Sequence, residues 1–140
     1  MMKMIIMNKP KFTEVWKFNQ NKSVLEIPAP DSTTFIIEHR EPYFHLERTH
    51  VRGKSSNTFA IDLTTDGKTV IKNHGGIEIR AHLFWEAEIL VFDSEVYREG
   101  QRGTNLVSYQ LADNGQTFIA DEQFSSRDLN YKKKWVFDKQ

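Results

Sequence analysis

The chain contains no cysteine. This rules out disulfide staples, thiol nucleophiles and Cys-ligated zinc, and it leaves the compartment open because a thiol-free protein tolerates either redox state. Net charge is also missing, since 19 basic and 19 acidic residues cancel. Without a whole-molecule field to draw in a polyanion, nucleic acid is disfavoured as the main partner. No stretch approaches the roughly 18 consecutive apolar residues of a membrane helix, so no membrane span is expected and the chain reads as soluble. Helical periodicity, low-complexity tracts and internal repeats are lacking as well.

The N-terminal run from Met1 to Pro10 carries a positive charge and a short apolar core. That core falls short of the roughly 7–15 residues of a secretory signal and is followed by no small-residue cleavage site, which favours a cytoplasmic protein. With 140 residues the chain has room for one domain. We expect a flexible leader over residues 1–12 and a single domain over residues 13–140.

What is present is strand after strand. From Leu83 to Phe124 three runs of β-type residues follow one another, Trp85 to Asp93, Asn105 to Leu111 and Thr117 to Phe124. The last two are joined through Asn114-Gly115, which supplies the positive φ angles of a tight hairpin. Earlier, Glu14 to Asn19 alternates apolar and polar residues. It is followed by a proline-bearing crossing loop to Ser32 with room for one helical turn. Strands are then expected over Thr33 to Arg40, Tyr43 to Val51, Asn57 to Leu63, Thr69 to Asn73, Ile77 to Phe84 and Leu129 to Asp138, with Ser94 to Thr104 as a polar link. Short sequential strands with short connections predict an all-β fold, an antiparallel up-and-down barrel of about eight to ten strands, closed or nearly so. A β-sandwich is the alternative.

The two-residue period assigns faces. Phe59, Ile61 and Leu63 share one, and Ile77, Ile79, Ala81, Leu83 and Trp85 share another, opposite Glu78, Arg80, His82 and Phe84. Ile89 to Phe92 is apolar on both faces, so Leu90 and Phe92 call for cover from a homodimer partner or from the leader.

Trp16 to Ser23, the prolines after it, Asp66-Gly67-Lys68, the run Tyr109 to Phe118 and the terminal Val136-Phe137-Asp138-Lys139 resemble, in their order and spacing, small bacterial lipocalin-like domains. The resemblance spans most of the chain. It implies a calycin-type barrel, related to lipocalins and fatty-acid-binding proteins, that holds a small hydrophobic molecule. It implies no catalytic residue and no cofactor. Two features depart from the lipocalin pattern. Glu14 stands where Gly-x-Trp would place glycine, and the cation that lipocalins stack on that tryptophan would have to be Lys133 or Lys134.

Candidate sites follow from these faces. An inward apolar set of Phe59, Ile61, Ile79, Leu83, Val107 and Tyr109 would hold a small apolar or amphipathic ligand without catalysis. The row Glu78, Arg80 and His82 could run acid–base chemistry if it faced inward, but alternation favours a solvated outer face. A barrel with a filled core, serving a structural or protein-interaction role, is the third reading. The five histidines are spaced poorly for a metal, since His45 and His50 fall on opposite faces, so they read as surface residues and no metal is expected. Asp93-Ser94-Glu95 lacks the Gly-x-Ser-x-Gly elbow of an exposed nucleophile. On a strand, Lys133 points away from Lys132 and Lys134, which dissolves the apparent basic cluster.

Overall fold

Two-residue alternation and turn chemistry account for most elements of the computed structural model, which describes residues 9–140. The strands are β1 (Glu14–Phe18), β2 (Val24–Leu25), β3 (Ser32–Arg40), β4 (Tyr43–Arg52), β5 (Ser55–Thr64), β6 (Val70–His74), β7 (Ile77–Glu86), β8 (Ile89–Arg98), β9 (Gln101–Ala112), β10 (Thr117–Ser126) and β11 (Asn130–Lys139). A single 3-10 turn, Gln20–Lys22, lies in the crossing loop, capped by Asn19. A second, Asp113–Gly115, makes the β9–β10 hairpin, where Asn114 and Gly115 take φ of 56° and 81°.

From β3 to β5 and from β6 to β11 each strand pairs antiparallel with the next. β1 pairs with both β3 and β11 and joins the two halves of the ring. β2 continues that junction, with Leu25 and Val24 opposite Lys133 and Lys134. The hydrogen-bonded path begins at β5 and ends at β6, so a seam runs between these two strands. At one end of the seam, Asp66 bridges to Phe84 and the Gly67 N–H donates to the Leu83 carbonyl at 2.9 Å. The protein is an all-β, nearly closed, antiparallel up-and-down barrel of ten strands, as the sequence predicts.

Two boundaries differ from expectation. The run Trp85 to Asp93 is not one strand, because Ala87 takes a φ of 54° and turns the chain between β7 and β8. The polar link Ser94 to Thr104 is instead the hairpin end of β8 and β9, turning at Glu99 and Gly100 with φ of 50° and 78°.

The faces of β8 also correct the sequence reading. Leu90 and Phe92 point into the barrel beside Leu83 and Tyr109, and are 0% and 6% exposed. Ile89 and Val91 are the outer pair, with Val91 beside its cross-strand partner Phe84. The strip that called for a homodimer or a docked leader is therefore part of the core. Residues 1–8 of the expected leader lie outside the described residues. Phe12, assigned to that leader, is fully buried and belongs to the barrel.

The interior has two halves. At the lower end, which carries the β3–β4, β7–β8 and β9–β10 turns, aromatic side chains close the barrel. Phe12 packs on Phe44, Trp85, Tyr109 and Phe118, and Trp16 stacks on Phe118 with centroids 5.4 Å apart. Glu41 fastens this end, with Oε1 accepting from Trp85 Nε1 and Thr65 Oγ1, both at 2.9 Å, and Oε2 meeting His39 Nε2 at 2.5 Å. Burial pushes the Glu41 carboxyl up, but those hydrogen bonds outweigh it and hold the group below the usual carboxylate range. The upper half is not filled.

Candidate functional site

The upper half of the barrel encloses a cavity of about 360 Å³. Its deeper wall is apolar, formed by Phe35, Leu46, Phe59, Ile79, Phe92 and Val107, with Tyr109 at its base. The wall nearer the upper end is polar, with Arg48 and His50 from β4, Ser94 from β8, Asn105 from β9, Glu122 from β10 and Lys133 from β11. These residues occupy inward positions by the same alternation that places the core. Arg48 and His50 follow Phe44 and Leu46 on β4, and Glu122 follows Phe118 and Ala120 on β10.

Glu122 organises the polar wall. One carboxylate oxygen accepts from Trp135 Nε1 and the other from Asn105 Nδ2, each at 3.0 Å. A carboxylate that only accepts fixes which end of the Asn105 amide faces it. The opposite end, Asn105 Oδ1, has no hydrogen-bond partner among the described residues, and neither does the buried Arg48 Nε. The Arg48 guanidinium lies over the Phe59 ring at 5.4 Å. Burial draws Arg48 down from its ordinary value against the pull of Glu122, yet a guanidinium stays protonated at any physiological pH.

His50 is held neutral. Burial first, and then the charges of Arg48, Lys133 and Arg52, depress it to about 3. Its Nδ1 lies 2.7 Å from Thr33 Oγ1, and its ring stacks on Trp135 at 5.5 Å. Lys133 is lowered by burial and by the nearby arginines, with Glu122 opposing. Its Nζ sits 4.8 Å from the Tyr131 ring and 5.0 Å from that of Trp135. Burial pushes the Tyr131 hydroxyl up to about 12 and raises that of Tyr109 as well, so both are neutral hydroxyls. Arg48, Lys133 and Glu122 bring two basic groups and one acidic group to this wall.

Of the sequence candidates, Phe59, Ile79, Val107 and Tyr109 line the cavity. Ile61 and Leu83 face inward but lie in the packed core, 2% and 0% exposed. Glu78, Arg80 and His82 are on the outer face, where Arg80 Nε donates to Glu78 at 2.8 Å and His82 stacks on Phe84 at 5.4 Å. Acid–base chemistry by that row within the barrel is excluded by its direction.

The histidines divide. His45 is an outer residue, 2.7 Å from Asp62, whereas His39 and His50 are interior, contrary to the surface reading. No cluster of three metal-ligating side chains occurs among the described residues. Lys133 stacks on Trp135 and Tyr131 rather than on Trp16, because Trp16 lies opposite Lys139 and faces the lower end.

Sequence reasoning missed Arg48, His50, Asn105 and Glu122. Asn105 and Glu122 each interrupt an apolar row, and on β4 the row turns polar at Arg48 and His50 after Phe44 and Leu46; that change was the available signal.

No protein-family model and no curated protein matches the chain. Solved structures do. An SAHS protein from Ramazzottius varieornatus superposes with a TM-score of 0.67 at 12% identity, over 94% of this chain and 98% of that one. Zebrafish ileal bile acid-binding protein, complexed with cholic acid, gives 0.63 at 10% identity over 92% and 98%. Human cRBP IV gives 0.62 at 10% identity over 94% and 99%. No helix among the described residues is long and apolar enough to cross a membrane. At these identities the likeness is one of fold, and the fold is that of a calycin-type β-barrel.

Proposed function

We propose that the barrel holds one small apolar or amphipathic molecule and does so without catalysis. Its apolar body would lie against Phe59, Ile79, Phe92 and Val107, and its electron-rich end would face Arg48. The observation that carries this reading is the cavity itself. An unfilled volume of about 360 Å³ combines an apolar wall with a buried guanidinium whose Nε has no partner among the described residues. Leaving such a donor unsatisfied costs about 1–3 kcal/mol, which a ligand acceptor at the guanidinium would help to offset. Sites for small molecules have this character, mostly apolar with a few placed polar groups, and a volume of roughly 300–1,000 Å³. The zebrafish structure with cholic acid, an amphipathic acid, supports the same ligand class. A completely filled core, the structural alternative, accounts for the lower half of the barrel but not for the upper.

The test is native mass spectrometry of the protein recovered from its own cells, with solvent extraction of whatever it retains. Ile79→Trp and Val107→Trp should fill the cavity and abolish retention while leaving the far-ultraviolet circular dichroism of the fold intact. A protein that carries no adduct, and takes up neither decanol nor decanoate when offered them, overturns the reading.

A further inference from the structure

Lys133 is set apart from the other lysines of β11. Lys132 and Lys134 are on the outer face, whereas Lys133 lines the cavity, its amine between the Tyr131 and Trp135 rings. Across the β10–β11 ladder it is paired in register with Glu122, which also faces the cavity. Cross-strand partners on one face have their Cβ atoms about 5 Å apart. The Lys133 amine makes no salt bridge to any described carboxylate and is thus not tied up in an ion pair.

We propose that Lys133 is an imine-forming site, and that the ligand class it captures is an apolar aldehyde seated in the cavity. This rests on the cavity-binding reading above and names a ligand chemistry for it. An amine becomes a nucleophile when it sheds its proton. A desolvated position favours that, and burial lowers Lys133 here, aided by Arg52 and Arg48 and opposed by Glu122.

The step balances without any further reactant. The Lys133 nitrogen lone pair adds to the aldehyde carbon, and the former carbonyl oxygen takes up a proton. The nitrogen loses its hydrogens as the carbon–oxygen bond breaks, so water leaves and a C=N bond remains. Nothing is oxidised or reduced. Glu122, one strand away, offers an anionic partner to the protonated imine. Arg48, on the same cavity wall, is a donor for the carbonyl oxygen before attack. The deep apolar wall takes the alkyl chain, and the closed aromatic end limits its length.

The experiment treats the whole protein with decanal at neutral pH and traps any imine with cyanoborohydride. Intact-mass spectrometry gives the stoichiometry, and peptide mapping gives the position. Lys132 and Lys134 are internal controls on the same strand. Lys133 should be labelled first, several-fold faster than its neighbours, because burial inside the cavity leaves more of it as free amine. Its labelling should also reach half its maximum at a lower pH than theirs. Lys133→Arg should remove the fast label while the circular dichroism of the fold stays intact.

Three other outcomes overturn the assignment. Labelling of Lys133 no faster than that of Lys132 and Lys134, with decanol still bound, defeats the imine site and leaves the binding reading standing. A fast label that survives Lys133→Arg also defeats it. Failure to take up either decanal or decanol defeats both.

Discussion

Phe12 donates its backbone N–H to Nδ1 of His39 across 3.2 Å, so a residue that precedes the first strand is bonded directly to the third. The link is reinforced on both sides. Thr13 Oγ1 donates to the His39 carbonyl at 2.9 Å and accepts from the His39 N–H at 2.8 Å, while Trp16 Nε1 donates to the Phe12 carbonyl at 3.0 Å. This polar frame holds the Phe12 ring inside the lower end, where it touches four other aromatic rings and that of His39.

Phe12→Ala should therefore lower the unfolding free energy by about 3–5 kcal/mol, the range for removing a buried phenylalanine. Phe12→Leu should cost less, because the remaining atoms still fill part of the space. Urea denaturation followed by circular dichroism measures both. An alanine variant with the parental midpoint would show that the lower end closes without Phe12.

His50 gives the barrel an acid limit with a defined window. Unfolded, its imidazole takes up a proton near its ordinary value of 6.5, whereas the folded one resists until about 3. Between those values the unfolded state binds more protons, so stability falls as pH falls. The contribution of neutral His50 is complete above about pH 6.5 and lost progressively toward pH 3. The carboxyls of Glu41, Asp66 and Glu95, also held low, act only further down, as pH drops through the carboxylate range. His50→Gln should flatten the stability profile between about pH 6.5 and pH 5 and leave the steeper loss below that range. An unchanged slope in the upper window would assign it to another group.

The ten-strand barrel was legible because its outer rows are polar and its lower core is apolar, as on Phe59, Ile61 and Leu63. The upper half was not, and for a single physical reason. There the inward row changes character, from Leu90 and Phe92 to Ser94 on β8 and from Ala120 to Glu122 on β10, so hydrophobic alternation fades where the strands continue. The β8–β9 hairpin was consequently read as a link. Ala87 illustrates a different blind spot, since its left-handed φ of 54° is carried by a residue that gives no turn signal. The apolar half of the site could be read from the sequence. Its charged half required knowing that Arg48, Glu122 and Lys133 meet across the interior.

The seam between β5 and β6 should be the weakest part of the wall. Strand edges without a ladder leave their outward N–H groups unprotected, whereas β9 and β10 share a continuous ladder from Thr117–Ala112 to Ser126–Gly103. Across the seam, Phe59 meets His74 edge-on at 5.4 Å, a side-chain contact in place of backbone bonds. Hydrogen exchange at neutral pH should be fastest, among the strands of the barrel, at amides of β5 and β6, and slowest in β9 and β10. Equal protection on the two sides would mean that the seam closes in solution.

Trp135 should report what enters the cavity. It lines the chamber, stacks on His50, and donates its indole N–H to Glu122. Trp16 and Trp85 are held at the lower end, one stacked on Phe118 and the other bonded to Glu41. A molecule such as decanoate drawn toward Arg48 displaces cavity water and changes the polarity around Trp135 alone. The emission spectrum should then shift on titration with decanoate in the parent, in Trp16→Phe and in Trp85→Phe, and stay constant in Trp135→Phe. Because that last substitution also removes a donor from Glu122, its decanoate uptake is read independently by native mass spectrometry. Uptake without an emission change would identify Trp135 as the reporter, whereas an emission change surviving in Trp135→Phe would place the ligand elsewhere on the protein.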